Sequence, residues 1–279
     1  MERPRWRSVV PKRIVLKRAV RRQQVLERLL ECGAIVPVAS GAYLEPDELP
    51  QIAAANGDVL SKAFEANEGR VQYEVEVGWA EDRVLTSFRS APELAPLFRA
   101  ASVSAKDIAR GVEALRGRLA AKIGALLVPA AVEIVTLPCR PASVARFALL
   151  VSRMEHSNFE RAVEAVDALW TEGFFIRQIG PAPAAAFGTL VFRRLSRGDI
   201  PKAEVRLGLP STWKISDLGV ARRRALLAAD APDAANEVRA AIRLLAGWHA
   251  AGRPETPPPL LDLWREGQAI PKPVREAVA

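Results

Sequence analysis

Apolar residues recur along this chain at two periods, and the changes between them predict an ordered series of strands and helices. In VQYEVEVGW, Val71, Tyr73, Val75 and Val77 alternate with Gln72, Glu74 and Glu76, the pattern of a half-buried strand. In SAKDIARGVEALRGRLAAKIGALL the period lengthens. Ile108, Val112, Leu115, Leu119, Ile123 and Leu126 form one helical stripe, and Ser104 and Asp107 stand at capping-box spacing. Pro129 ends that helix. AVEIVTL and VARFALLV then read as two strands joined by a turn at PCRP. Phe159, Ala162, Val163, Val166, Leu169 and Trp170 make a second helical stripe, with Asn158 as the expected cap and Gly173 as the stop. FFIRQI is the last strand of the series. The order is strand, helix, strand, strand, helix, strand: a ferredoxin-like βαββαβ unit with two helices on one face of an antiparallel sheet.

The flanks read differently. Residues 19–31 are predicted helical, and GAIVPVASG reads as a short buried strand between Gly33 and Gly41. EPDELPQIAAANGDVLSKAFEANEG is mostly helical, irregular in its first half at Pro50 and Gly57, and stopped at Gly69. Residues 80–103 form a long connection with a proline-broken helical piece. FGTLVFRRL adds a further strand or edge hairpin. Beyond GLPSTW, two helices are expected, joined by the turn from Asp230 to Asp233. LLDLWREG follows them, with Leu260, Leu261, Leu263 and Trp264 packing back onto the body.

The fold class is α+β: a ferredoxin-like βαββαβ domain preceded by a small α/β domain and followed by a helical C-terminal extension. The expected divisions are a basic N-terminal arm at 1–22, an α/β domain at 23–69, the ferredoxin-like domain at 70–195 and the helical extension at 196–279.

The stretch IRQIGPAPAAAF interrupts this pattern. Pro181 and Pro183 lack amide donors, so residues 180–183 cannot continue a central ladder and form a stiff connector. Phe187 is the only large apolar side chain of the 180–188 loop, and its expected place is the core, because FGTLVF resumes a strand there. Ala182, Ala184 and Ala185 are then the exposed positions.

Composition narrows the function. The chain has 279 residues, 49% hydrophobic and 26% charged, which is globular. Cys32 and Cys139 are too few and too isolated for a disulfide framework or a zinc site, and read as small buried apolar residues in a reducing cytosol. The sequence contains no uncharged apolar run long enough to span a membrane and no apolar core of a secretory signal, so a cytoplasmic protein is expected. The net charge of +8 is uneven: nine of the first 22 residues are Lys or Arg, with Glu2 the only acid. Such an arm suits nucleic acid, an anionic surface or an acidic partner, or is simply a solvated terminus or the polar face of a helix.

Catalytic chemistry is not legible. His156 and His249 have no ligand at metal spacing, and His156 reads as a surface-loop histidine. Glu74 and Glu76 share a strand face on its polar side, where solvated acids are expected. The sequence has no GxSxG, phosphate-binding loop or GxGxxG. No catalytic, cofactor-binding or metal-ligating residue is assigned, and no small-molecule substrate is expected.

With its elements in this order, the chain resembles the GvpF/GvpL family of gas vesicle proteins over roughly residues 20–192. The short strand motif of that family is matched by IVPVASGAY at Ile35 to Tyr43, and its extended strand after a glycine by EGRVQYEVEVGW at Glu68 to Trp79. A long helix, a strand pair and a Phe-containing helix follow, then a loop matched by Gly180, Pro181, Ala182, Pro183, Ala184, Ala185, Ala186 and Phe187. The chain is a divergent member: alanine replaces the loop aromatics at Ala182 and Ala185 and its second proline at Ala184, and Ser40 replaces a phenylalanine. The resemblance implies a non-enzymatic accessory protein in gas vesicle assembly or structure, in the cytoplasm or on the gas vesicle. It would bind the major shell protein and other gas vesicle proteins, with Gly180, Pro181, Pro183 and Phe187 as the partner-binding set. The alternative is a basic nucleic-acid-binding module on the same fold, which would need exposed aromatics on central strands. Only Tyr73 and Phe147 are available for that.

Overall fold

A computed structural model describes residues 12–39, 44–140 and 142–268. Its helices, in chain order, are α1 (Lys12–Cys32), α2 (Leu49–Ala55), α3 (Gly57–Asn67), α4 (Glu81–Ser87), α5 (Ala95–Arg99), α6 (Ala105–Leu127), α7 (His156–Asp167), α8 (Asp199–Leu207), α9 (Ile215–Leu227) and α10 (Pro232–Ala250). Its strands are β1 (Arg70–Trp79), β2 (Glu133–Thr136), β3 (Ser143–Ser152), β4 (Phe174–Ala182), β5 (Thr189–Arg193) and β6 (Leu260–Trp264). The described residues fall into two compact units. One comprises 12–37, 67–140, 142–187 and 265–267, and the other 38–39, 44–66, 188–264 and 268.

The first unit is the ferredoxin-like layer pair expected from the pattern. Its four strands lie in the order β2-β3-β1-β4, each pair antiparallel. Leu115, Leu119, Ile123 and Leu127 from α6 and Phe159 and Val166 from α7 share one core with Val71, Tyr73, Val75 and Val77 of β1, with Val163 packed against it. Both helices therefore cover the same sheet face. Strand β3 is buried on both sides, which explains why VARFALLV shows a continuous apolar run rather than alternation. The capping box at the head of α6 is present: the Asp107 amide donates to Ser104 Oγ at 3.2 Å and the Ser104 amide to Asp107 Oδ2 at 3.3 Å.

Four local expectations are corrected. Helix α1 begins at Lys12 rather than at residue 19, so 12–22 of the basic arm is helical, one of the readings its charge allowed, while 1–11 lies outside the described residues. Residues 34–39 form no strand, only an isolated parallel bridge of Val38 to Leu190; Pro37 has no amide to offer a ladder. Asn158 does not cap α7, which starts two residues earlier; it sits in the first turn, with Nδ2 donating to Glu155 Oε2 at 3.1 Å. Cys32 and Cys139 are both exposed, not buried.

The second unit carries the larger departures. FGTLVF does not extend the four-stranded sheet. Strand β5 pairs instead with β6, formed by LLDLW, in a separate two-stranded antiparallel sheet. Helices α9 and α10 are the expected pair, and α8 joins them. Their core holds Trp213, Leu207, Leu245 and Leu260, each nearly inaccessible. Asn56, buried at the α2–α3 elbow, ties this unit across more than 200 positions of sequence. Its Nδ2 donates to the Ile52 and Pro259 carbonyls at 2.8 and 3.0 Å, and its Oδ1 accepts from the Leu261 amide at 2.7 Å.

Candidate partner-binding surface

Strand β4 is the terminal strand of the four-stranded sheet, with β1 on its inner side. Its pairs are Gly78 with Phe175, Glu76 with Arg177, Glu74 with Ile179 and Gln72 with Ala182, and the register shifts between Gln72 and Glu74. The strand thus passes through Gly180 and Pro181 at a sheet edge, where a residue without an amide donor is tolerated. The Gly180–Pro181 peptide is cis, and Gly180 has φ +137°, a region open to glycine and costly for other residues.

The two faces of β4 have different fates. Phe174 and Ile176 point into the helix-side core. Phe175 and Ile179 stand on the other face, 64% and 41% exposed, with exposed Arg177 between them. These two residues form an exposed apolar pair on an edge strand, and the sequence reading assigned them no role. The signal was present: FFI places apolar residues on both faces of one strand, so the second face needs a cover from elsewhere.

Part of that second face is already covered by the chain itself. Ala184, Ala186 and Phe187 pack with Leu137, Ala148 and Leu150 in a small separate core. The Ala186 amide donates to Gln72 Oε1 at 2.8 Å in a buried hydrogen bond. Phe187, 4% exposed, therefore lies in the protein's own core, as its place before a strand suggests. Of the four residues singled out in the loop, Gly180 and Pro181 are exposed and Pro183 and Phe187 buried. The alanines divide: Ala185 is exposed, but Ala182 is half-buried and Ala184 only 2% exposed, because the loop folds down onto the sheet instead of standing away from it.

The acids of β1 are not solvated as expected. Glu76 is buried and accepts from Ser143 Oγ at 2.6 Å, with Arg140 at 3.3 Å. Glu74 pairs with Arg146 at 2.8 Å. Each carboxylate is matched across the ladder to a β3 or neighbouring donor, which makes them sheet fasteners. His156 is not in a loop but opens α7. Its Nδ1 lies 3.2 Å from Tyr73 Oη, its Nε2 lies 3.1 Å from Glu160 Oε1, and its ring stacks on Tyr73. Burial pushes the Tyr73 hydroxyl pKa up, with the Glu160 charge adding to it. Tyr73 and Phe147 both belong to the helix-side core, so neither offers a stacking face to a nucleic acid base. Among the described residues, no group of three or more His, Cys, Asp or Glu is placed to hold a metal, and no helix is long and apolar enough to cross a membrane.

The family model described as gas vesicle synthesis protein GvpL/GvpF matches residues 7–187, more than half of the chain and the whole of the sheet with its covering loop. The chain belongs to the GvpL/GvpF family. Among solved structures it is similar to the gas vesicle protein GvpF from Anabaena sp. PCC7120, at 16% identity and a TM-score of 0.51, over 66% of this chain and 80% of that one. It is also similar to GvpF from Microcystis aeruginosa, at 18% identity and a TM-score of 0.49, over 64% and 79%. At such identities the likeness to the Anabaena protein is one of fold. No curated protein matches the chain. The matched segment ends at Phe187, so α8, α9, α10 and the β5–β6 hairpin lie outside it.

Proposed function

We propose that this GvpL/GvpF protein is a non-enzymatic accessory factor of gas vesicle assembly that binds the major shell protein along β4. The observation that carries this reading is the exposed pair Phe175 and Ile179 on an edge strand of the family-defining sheet. An edge strand offers unpaired backbone groups to an extended segment, and apolar side chains at alternate positions select an apolar one. Covering the exposed parts of Phe175 and Ile179 contributes about 1–2 kcal/mol each, enough to favour an apolar subunit without trapping it.

The 180–187 loop has a supporting role in this scheme. Pro181 flanks the apolar pair on the exposed side, Gly180 permits the chain to turn beside β1, and Pro183 and Phe187 anchor the loop to the sheet. The two prolines restrict the free loop and so reduce the entropy lost on docking. The working places are the cytoplasm and the growing vesicle, and other gas vesicle proteins are further partners.

The test is co-purification with the major shell protein, expressed together with this chain. The double variant Phe175→Ser/Ile179→Ser should keep its circular dichroism spectrum and melting temperature and lose most of the bound shell protein. Pro181→Gly with Pro183→Gly should weaken association less. Retention of the shell protein by the folded serine variant would overturn the β4 reading.

A further inference from the structure

The second unit carries a cleft, about 480 Å³ in volume, that the family reading does not use. One wall is the α2–α3 elbow and the first turns of α3, and the other is α10, with Arg222 of α9 at the margin. From α10 the lining residues run from Arg239 to Ala250 at helical spacing, a length of roughly 16 Å. The cleft is therefore an elongated trough rather than a round pocket.

Its chemistry is divided along its depth. Val59, Ile242 and Ala246 line it with partly buried apolar surface. Lys62, Arg222 and Arg239 stand exposed around it, and Asp58 is the single carboxylate in the lining. Arg243 also reaches the cleft, but its guanidinium is spent internally, on Asp262 Oδ1 at 2.6 Å and on the Leu261 carbonyl. Among the described residues Lys62, Arg222 and Arg239 form no ion pair, and Arg239 donates one neutral hydrogen bond, to Asn236 Oδ1 at 2.8 Å. Three cations against the one carboxylate of Asp58 leave the margin of the apolar trough net positive, a field that favours an acidic occupant.

We propose that this cleft docks an acidic amphipathic helix of a partner protein. The apolar lining fits one face of a helix at i, i+3 and i+4 spacing, and the cationic margin meets carboxylates on its flanks. A single small anion would engage the margin and leave the apolar surface uncovered. A nucleic acid strand would find no exposed aromatic ring in the lining on which to stack. The inference is independent of the β4 surface, which belongs to the other unit.

The experiment uses the full chain and a fluorescein-labelled synthetic helical peptide of about 20 residues, with Leu and Ala on one face and Glu on the other. The controls are the same peptide with Gln for every Glu, polyglutamate of equal length, and a single-stranded RNA oligonucleotide, all read by fluorescence anisotropy. The acidic helix should bind more tightly than all three, and less tightly as salt rises. Lys62→Glu with Arg222→Glu should weaken it at least about tenfold, and Ile242→Asp likewise, while Phe175→Ser/Ile179→Ser should leave it unchanged. Melting curves confirm that each variant is folded, and should one unfold, Lys62→Gln with Arg222→Gln replaces it with a smaller loss expected. Equal binding of the Gln peptide or of polyglutamate, an unchanged affinity in the folded charge variants, or tighter RNA binding lost in the same variants would each overturn the proposal.

Discussion

Gly180 lies against Tyr73 with no room for a side chain: a Cβ built on Gly180 would fall 2.7 Å from Tyr73 Cδ1 and 2.7 Å from the Gln72 carbonyl oxygen. The contact occurs where the β1–β4 register shifts, and it seats the strand end against the ring that also stacks on Phe159 and His156. Gly180→Ala meets both the steric clash and the φ of +137°. It should cost about 2–4 kcal/mol, measurable as a lower urea midpoint of the first unit. A neutral result would mean that β4 ends before Gly180.

Phe187 and Phe175 are predicted to respond in opposite ways. Phe187→Ala empties the small core on the second sheet face and should destabilise by about 3–5 kcal/mol. Phe175→Ala removes a side chain that is 64% exposed and should change stability by less than about 1 kcal/mol. Chemical denaturation of both variants checks the contrast, and shell-protein binding should show the reverse order at matched folding.

Asn56 has its hydrogen bonds distributed across two segments that are far apart in sequence. Asn56→Ala leaves the Leu261 amide and the Pro259 carbonyl without their partner and should cost about 2–4 kcal/mol. Asn56→Asp restores the acceptor but turns a charge toward two carbonyl oxygens, and should be no better than Ala at neutral pH. Hydrogen exchange at the Leu261 amide reports the loss directly.

Acid should weaken the first unit through two identified carboxylates. The Arg118 hydrogen bond holds the Glu93 carboxyl below its ordinary 4.5, and the Ser104 side chain and backbone hold Asp107 below its ordinary 3.8. Because both folded values are depressed, their stabilisation is present above the ordinary values and lost as pH falls through the folded ones. Melting temperature should therefore drop below about pH 4, and Glu93→Gln with Asp107→Asn should flatten that fall. A double variant with an undiminished acid limb would place the sensitivity elsewhere.

Tyr73→Phe tests the opposite limb. Burial raises the tyrosine pKa, so its neutral form is favoured in the fold, and stability should decline as pH rises above the ordinary 10.0. The variant keeps the stacking on Phe159, loses the 3.2 Å contact with His156, and should cost no more than about 1 kcal/mol at neutral pH. Removal of part of the alkaline decline, followed by circular dichroism, is the expected result.

The sequence by itself determined the βαββαβ order, the two helical stripes and their common sheet face. Those features follow from short-range periodicity: a strand alternates every second residue, a helix recurs every three to four, and each apolar stripe must be buried. The capping box of α6 and the fate of Phe187 were legible for the same local reason. Partner choice in the second unit was not. Nothing in FGTLVF distinguishes a fifth strand of the main sheet from half of a separate hairpin with Leu260–Trp264, because backbone hydrogen bonds carry no sequence information and the pairing is fixed by which side chains pack. Likewise, VQYEVEVGW makes Glu74 and Glu76 polar, but only the β1–β3 register brings Arg146 and Ser143 to them and turns solvated acids into paired fasteners, half-buried at Glu74 and buried at Glu76. The exposed pair Phe175 and Ile179 and the basic cleft beside α10 are of the same kind: surfaces assembled from distant segments, whose exposure depends on what the rest of the chain leaves uncovered.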